Sequence, residues 1–118
     1  MTKEDELFRK GVEAFNNRQF YDAHEYWEEL WLEYKLDDAN FIQGLIQLAV
    51  SYFHFFNENI KGAESMCRKC LKKFETFNFS RDIDVQELVS QILMLQNSYL
   101  EYKKTFNNKD IYIITLKI

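Results

Sequence analysis

The sequence predicts an all-α fold, a single-domain bundle of about five helices followed by an extended C-terminal tail. Three observations lead there. The 118 residues contain no proline and only 3 glycines, and a chain with so few breakers reads as long helices. Apolar residues make up 47% of it, too many for a disordered chain. They recur mostly three or four residues apart, as one face of a helix requires. The length is that of one domain, which can bury roughly two-thirds of its unfolded surface. With 11 Phe, 7 Tyr and 2 Trp, the core is built largely of rings.

The elements follow in order. Thr2 is placed to cap a first helix whose opening turn carries Asp5 and Glu6, where the helix dipole favours acids. Leu7, Phe8, Val12 and Phe15 supply its apolar face, and "NNRQ" at 16–19 ends it. A second helix is expected from about Phe20 to Tyr34. "KLDDAN" then breaks the pattern, and Asp37 or Asp38 can cap a third helix lasting to about Phe56. That helix, "FIQGLIQLAVSYFHFF", is apolar on nearly every side, the mark of a buried central helix. After "NENIKG" a fourth helix covers about Gly62 to Phe77. "NFSRDID" interrupts again, and Asp84 with Glu87 spells a capping box before the fifth helix. Leu88, Ile92, Leu95, Tyr99 and Tyr102 give that helix a core or partner face. The ending "DIYIITLKI" is β-branched and not helical by propensity. It is expected to lie extended on the bundle or on a partner. The division is therefore residues 1–106 as bundle and 107–118 as tail.

Charge and composition exclude several functions. A net charge of −4 is wrong for general nucleic-acid binding, which depends on neutralising phosphates. The basic run Arg68–Lys73 reads as a solvated helix face. No apolar run approaches the roughly 20 residues of a membrane span. "MTKEDELFRK" is too polar for a secretory signal. The expectation is a cytoplasmic protein whose two cysteines stay reduced.

The densest chemistry lies in "DAHEYWEELW", residues 22–31. At roughly 100° per residue, Phe20, Ala23, Trp27, Leu30, Trp31 and Tyr34 share the core arc. Glu25 and Glu29 face water, and His24 and Glu28 stand side by side at the arc's edge. Such a pair can grip one metal ion from two sides, and zinc, iron and manganese accept imidazole with carboxylate. Spacing alone favours the plainer reading, a hydrogen-bonded pair at the core edge.

The third helix adds a polar stripe of Asn40, Gln43, Gln47, Ser51, His54 and Glu58, each three or four residues from the next. Buried amides need partners, so the stripe is expected to face the His24/Glu28 edge and enclose one polar pocket. A structural hydrogen-bond network between two helices explains the same stripe. Cys67 and Cys70 form a C-x-x-C within a helical pattern. It lacks both the second cysteine or histidine pair of a zinc site and the preceding strand of a redox motif.

These residues resemble the bacterial and archaeal domain-of-unknown-function 309 family. Its signature H-x-x-x-E-x-x-W is met by His24, Glu28 and Trp31. "FNNRQFYDAHE" fits the lead-in, "FIQGLIQLAV" with "HFFNENIKGA" the second block, and "DIDVQEL" a weaker third, over about residues 7 to 95. Asn57-Glu58-Asn59 stands where a glycine-bearing turn is common in that family. The resemblance implies an all-helical fold and a suggestion that the signature residues bind metal. It brings no established reaction.

Two functions fit. The favoured one is a small binding or interaction module with a polar pocket at His24/Glu28. Its tail or aromatic surface would serve a protein partner or self-association into a homo-oligomer. The other is a metal-dependent enzyme, such as a hydrolase, using the same pocket. There a divalent transition metal would be held by His24, Glu28 and His54, with Glu25 as base and Gln43 and Gln47 orienting substrate. Trp31 and Ser51 complete the pocket wall in either case. With 2 histidines in the chain, any metal would lean on carboxylates or water.

Overall fold

A computed structural model describes residues Met1–Ile118. Five helices account for most of the chain: α1 (Lys3–Asn16), α2 (Phe20–Glu33), α3 (Ala39–Phe56), α4 (Ile60–Phe74) and α5 (Val85–Thr105). Between α4 and α5, β1 (Phe79–Ser80) and β2 (Ile83–Asp84) form a two-residue antiparallel ladder. A single 3-10 turn, Asn108–Asp110, precedes an extended tail from Ile111 to Ile118. No helix is long and apolar enough to cross a membrane.

The helix starts follow their local chemistry. Thr2 and Asp5 form a reciprocal capping box at α1, satisfying two of the helix's free N–H groups. At α5 the Asp84 carboxylate accepts the Glu87 amide at 3.2 Å. The return half of that expected box is absent, because the Glu87 carboxylate holds Lys117 of the tail at 2.9 Å. Asp38 sits at the start of α3 but does not cap it. Its carboxylate is taken by Arg81, through Nε at 2.8 Å and Nη2 at 3.1 Å, and by the Ser80 hydroxyl at 2.8 Å. This bidentate pair pins the β1–β2 turn, whose central residues Arg81 and Asp82 both have positive φ. Two successive positive φ values make the type I′ geometry that suits a hairpin. Arg81 also lies over the Phe8 ring, 5.2 Å from its centre.

Successive helices pack on one another in chain order. Two glycines allow the closest approaches. A Cβ at Gly11 would overlap the indole of Trp27, which is buried and donates its Nε1–H to the Phe8 carbonyl at 3.2 Å. A Cβ at Gly44 would meet the Phe74 ring at 2.6 Å. The core is continuous and ring-rich. Phe15 meets Phe20, Trp27 and Tyr52, and Phe20 stacks on Tyr52 at 4.4 Å. Phe55 packs on Tyr99 and Tyr102. Cys67 and Cys70 are free, buried members of this core, as a helical C-x-x-C without partners allows.

The tail lies on its own bundle. Ile111, Ile114 and Leu116 are buried in the common core cluster. Tyr52 donates its hydroxyl to the Tyr112 carbonyl at 2.6 Å and accepts the Ile114 amide at 2.9 Å. Asn16 of α1 and Gln91 of α5 hold Leu116 and Thr115 respectively, so the tail spans from the last helix to the first.

Gly11→Ala is expected to lower stability by up to about 2 kcal/mol in urea denaturation. The helix-propensity gain of roughly 1 kcal/mol is outweighed by overpacking against Trp27, which costs typically ~1–3 kcal/mol. A second expectation concerns pH. Burial raises the Asp38 carboxyl pKa, but the bonds from Arg81 and Ser80 outweigh it and hold the group below its usual value. A folded pKa below the unfolded one adds stability that is complete above the unfolded value, roughly 3.9. That stability is lost as pH falls through the folded value. Asp38→Asn should therefore cost about 1–3 kcal/mol at neutral pH. The gap to wild type should close below about pH 4. A gap independent of pH would show that the carboxylate's charge is not what matters.

Candidate functional site

The predicted site residues do not share one pocket. His24 and Glu28 do stand together one turn apart on α2, with Nε2 to Oε2 at 2.8 Å. His24 Nδ1 lies 3.3 Å from the Tyr21 carbonyl. Both ring nitrogens therefore face oxygen atoms.

His54, one of the polar stripe on α3, shares a small cavity with His24. About 170 Å³ in volume, it is walled by Tyr21, His24, Val50, Phe53 and His54. The Tyr21 ring lies 5.5 Å from both the His24 and Phe53 rings. His54 Nδ1 faces the Asn59 side-chain amide at 3.4 Å. Asn59 is itself turned by its carbonyl's bond to Gly62 N–H, the cap of α4. Both histidines of the chain thus meet at one apolar hollow. Beside it a second groove of about 340 Å³, lined by Arg18, Phe20, Phe53 and Phe56 among others, shares Tyr21 and Phe53 with the first. Tyr21 is 52%, Phe53 36% and Phe56 49% exposed. Glu25 beside Tyr21 raises its phenol above the ordinary value.

The rest of the stripe goes elsewhere. Ser51 points into the core, donating to the Ala63 carbonyl at 2.7 Å and bonded to the Tyr99 hydroxyl at 2.8 Å. It links α3 to α4 and α5. Burial drives the Tyr52 and Tyr99 phenols well up, so both act as neutral hydrogen-bonding groups. Asn40 and Gln47 line a cleft of about 420 Å³ against Lys69, Lys72 and Lys73 of α4. The Gln47 Oε1 is buried there without a partner. Gln43 is half-buried and lines neither hollow. Trp31, assigned to the core by its position on the wheel, is 37% exposed. The α2 arc buries Phe20, Ala23, Trp27 and Leu30 only, too narrow to reach Trp31.

The contributions of Tyr21, Val50 and Phe53 were hidden because Val50 and Phe53 read as part of the all-round apolar α3 and Tyr21 falls outside the core arc of α2. A signal was present: Val50 and Phe53 flank His54, and Tyr21 precedes His24 by three, so all follow one pair of facing helix edges.

The match to known families covers residues 8–66, under the description Domain of unknown function (DUF309). That is half of the chain, and it contains His24, Glu28, Trp31 and His54. The chain belongs to the domain-of-unknown-function 309 family. The match ends before "DIDVQEL", so the family assignment rests on the first two sequence blocks. No curated protein matches the chain.

The family resemblance implies a metal at the signature, and the side-chain geometry can be set against it. No group of three or more His, Cys, Asp or Glu side chains is arranged to hold a metal ion. Protein metal sites of this kind use three or four such donors. His24 and Glu28 offer two, already bonded to each other, and His54 is turned toward Asn59. The residues as arranged do not fit a resident metal centre.

A pair with one solvent-exposed partner contributes little, and the Glu28 side chain is 44% exposed against 23% for His24. His24→Ala and Glu28→Ala are therefore each expected to lower stability by under ~1 kcal/mol. Metal content of the tag-free protein, measured by mass spectrometry, should be the same in both variants as in wild type. Stoichiometric metal lost in both would restore the metal reading.

Proposed function

We propose that this small helical protein is an interaction module whose recognition face is the aromatic surface around the two histidines. The observation that carries this is the size and lining of the His24/His54 hollow. At about 170 Å³ it falls below the roughly 300 Å³ at which small-molecule clefts begin. It suits one inserted side chain, the way an anchor residue of a protein partner is seated. Its apolar walls come from Tyr21, Val50 and Phe53. The adjoining groove continues the surface through Phe56 to Arg18. Aromatic residues and arginine are the types that interfaces enrich.

The occupant we assign is an apolar side chain on a protein partner, flanked by a hydrogen-bonding group between the imidazoles. We place the partner face here rather than on the tail, whose Ile111, Ile114 and Leu116 are buried against their own bundle. His24 and Glu28 form its polar rim, with Glu25 at its outer edge beside Tyr21.

The test is site-specific photo-crosslinking in cells from position 53, with position 93 on α5 as the control. The captured protein is then purified and titrated against the full chain. Phe53→Asp should weaken that complex at least ~30-fold, the scale of a hot-spot loss, while leaving the helical content unchanged. A crosslinking pattern identical at positions 53 and 93, or unaltered affinity in the variant, would overturn the reading.

A further inference from the structure

The seat of the tail has the chemistry of a peptide-binding groove, and this observation is independent of the aromatic face. No backbone–backbone hydrogen bond joins the tail to the bundle. Its backbone is read by side chains instead. Asn16 accepts the Leu116 N–H at 2.8 Å and donates to the Leu116 carbonyl at 3.0 Å. Gln91 does the same for Thr115, at 3.3 and 3.2 Å. Tyr52 donates to the Tyr112 carbonyl and accepts the Ile114 N–H. These are contacts an extended peptide makes on a receptor, where main-chain bonds give affinity and pockets for alternating side chains give selectivity. Here the pockets take Ile114 and Leu116.

We infer that this groove accepts the tail of a second copy of the chain, giving a dimer in which the two tails are exchanged. The occupant is fixed by the groove itself: a second copy presents the same residues in the same spacing, so every contact re-forms in trans. The connecting segment permits it. Between α5 and Ile111 every side chain is exposed. The bonds among Thr105, Asn107, Lys109 and Asp110 close within the segment and hold nothing else. Phe106 carries a φ of 55° without being glycine, a conformation that L residues adopt at a cost. Opening the segment releases that cost, and the contact with the bundle at stake is the one Phe106 makes with Tyr102, an edge-on ring packing at 6.1 Å and one N–H bond to its carbonyl. Strained, short hinges are the setting in which exchange of an identical element occurs.

The geometry also supplies the lever. The tail returns antiparallel to α5, with Tyr112 bonded to Ser98, Thr115 to Gln91 and Lys117 to Glu87. Folding back in cis needs the reversal made by residues 106–110. The full chain lacking Asn107–Lys109 cannot make it, and is expected to be a dimer by light scattering at every concentration. Isotope-filtered NOEs should connect Ile114 of one copy to the Tyr52 ring of the other. Adding Ile114→Asp to the shortened chain should return it to monomer. A folded monomeric shortened chain, or a dimer without those NOEs, would overturn the inference. Should shortening prevent folding, the wild type decides. After slow cooling from its thermal transition at high concentration, an equal mixture of labelled and unlabelled copies should contain dimers showing the same NOEs. A wild type that stays monomeric after that treatment refutes exchange.

Discussion

The structure depends on one constraint: α3 is enclosed on nearly all its length, so the hydroxyls it buries must be met by elements packed against it. Ser51 meets α4 and α5 through Ala63 and Tyr99. Tyr52 meets the tail through two backbone contacts. An unpaired buried hydroxyl costs about 1–3 kcal/mol, so these bonds specify where α5 and the tail sit as well as stabilising them. Where α3 runs out of neighbours, at its last turn, Phe53, His54 and Phe56 reach the surface. The candidate site is thus the place where enclosure ends.

Most of the fold was legible from caps and spacing. Thr2, the apolar positions of α1 and the all-round apolar α3 each dictate a helix by local chemistry. Two features were not, since they depend on residues distant in sequence. Asp38 looks like a cap until Arg81 and Ser80, 43 and 42 positions away, claim its carboxylate. The β1–β2 hairpin exists because that ion pair holds Arg81 and Asp82 in a conformation normally left to glycine or asparagine. Glu58 is a similar case. It takes a φ of 62° within the Asn57–Asn59 turn, again a conformation that favours glycine.

The site was legible only in part. The i, i+4 geometry of a helix brings His24 to Glu28 whatever the fold. The wheel cannot tell how wide an arc the neighbours cover, and so misplaced Trp31. Nor can it tell that a straight stripe on α3 will be divided among neighbours. The stripe's residues share a face, but α2, α4 and α5 each approach a different part of it. Ser51, Gln47 and His54 then end in a core network, a lysine-lined cleft and an aromatic hollow.

One residue joins the two surfaces argued above. The Tyr52 ring packs on Phe20 and Phe56, which also pack on each other and both line the groove beside the histidines. Its hydroxyl holds Tyr112 and Ile114 of the tail. With the tail in place, that hydroxyl is satisfied and the ring is fixed against Phe20. Departure of the tail would remove both protein partners of that hydroxyl. Tail seating and groove shape therefore share one side chain, and an exchanged tail, which restores both bonds, leaves the aromatic face as it was.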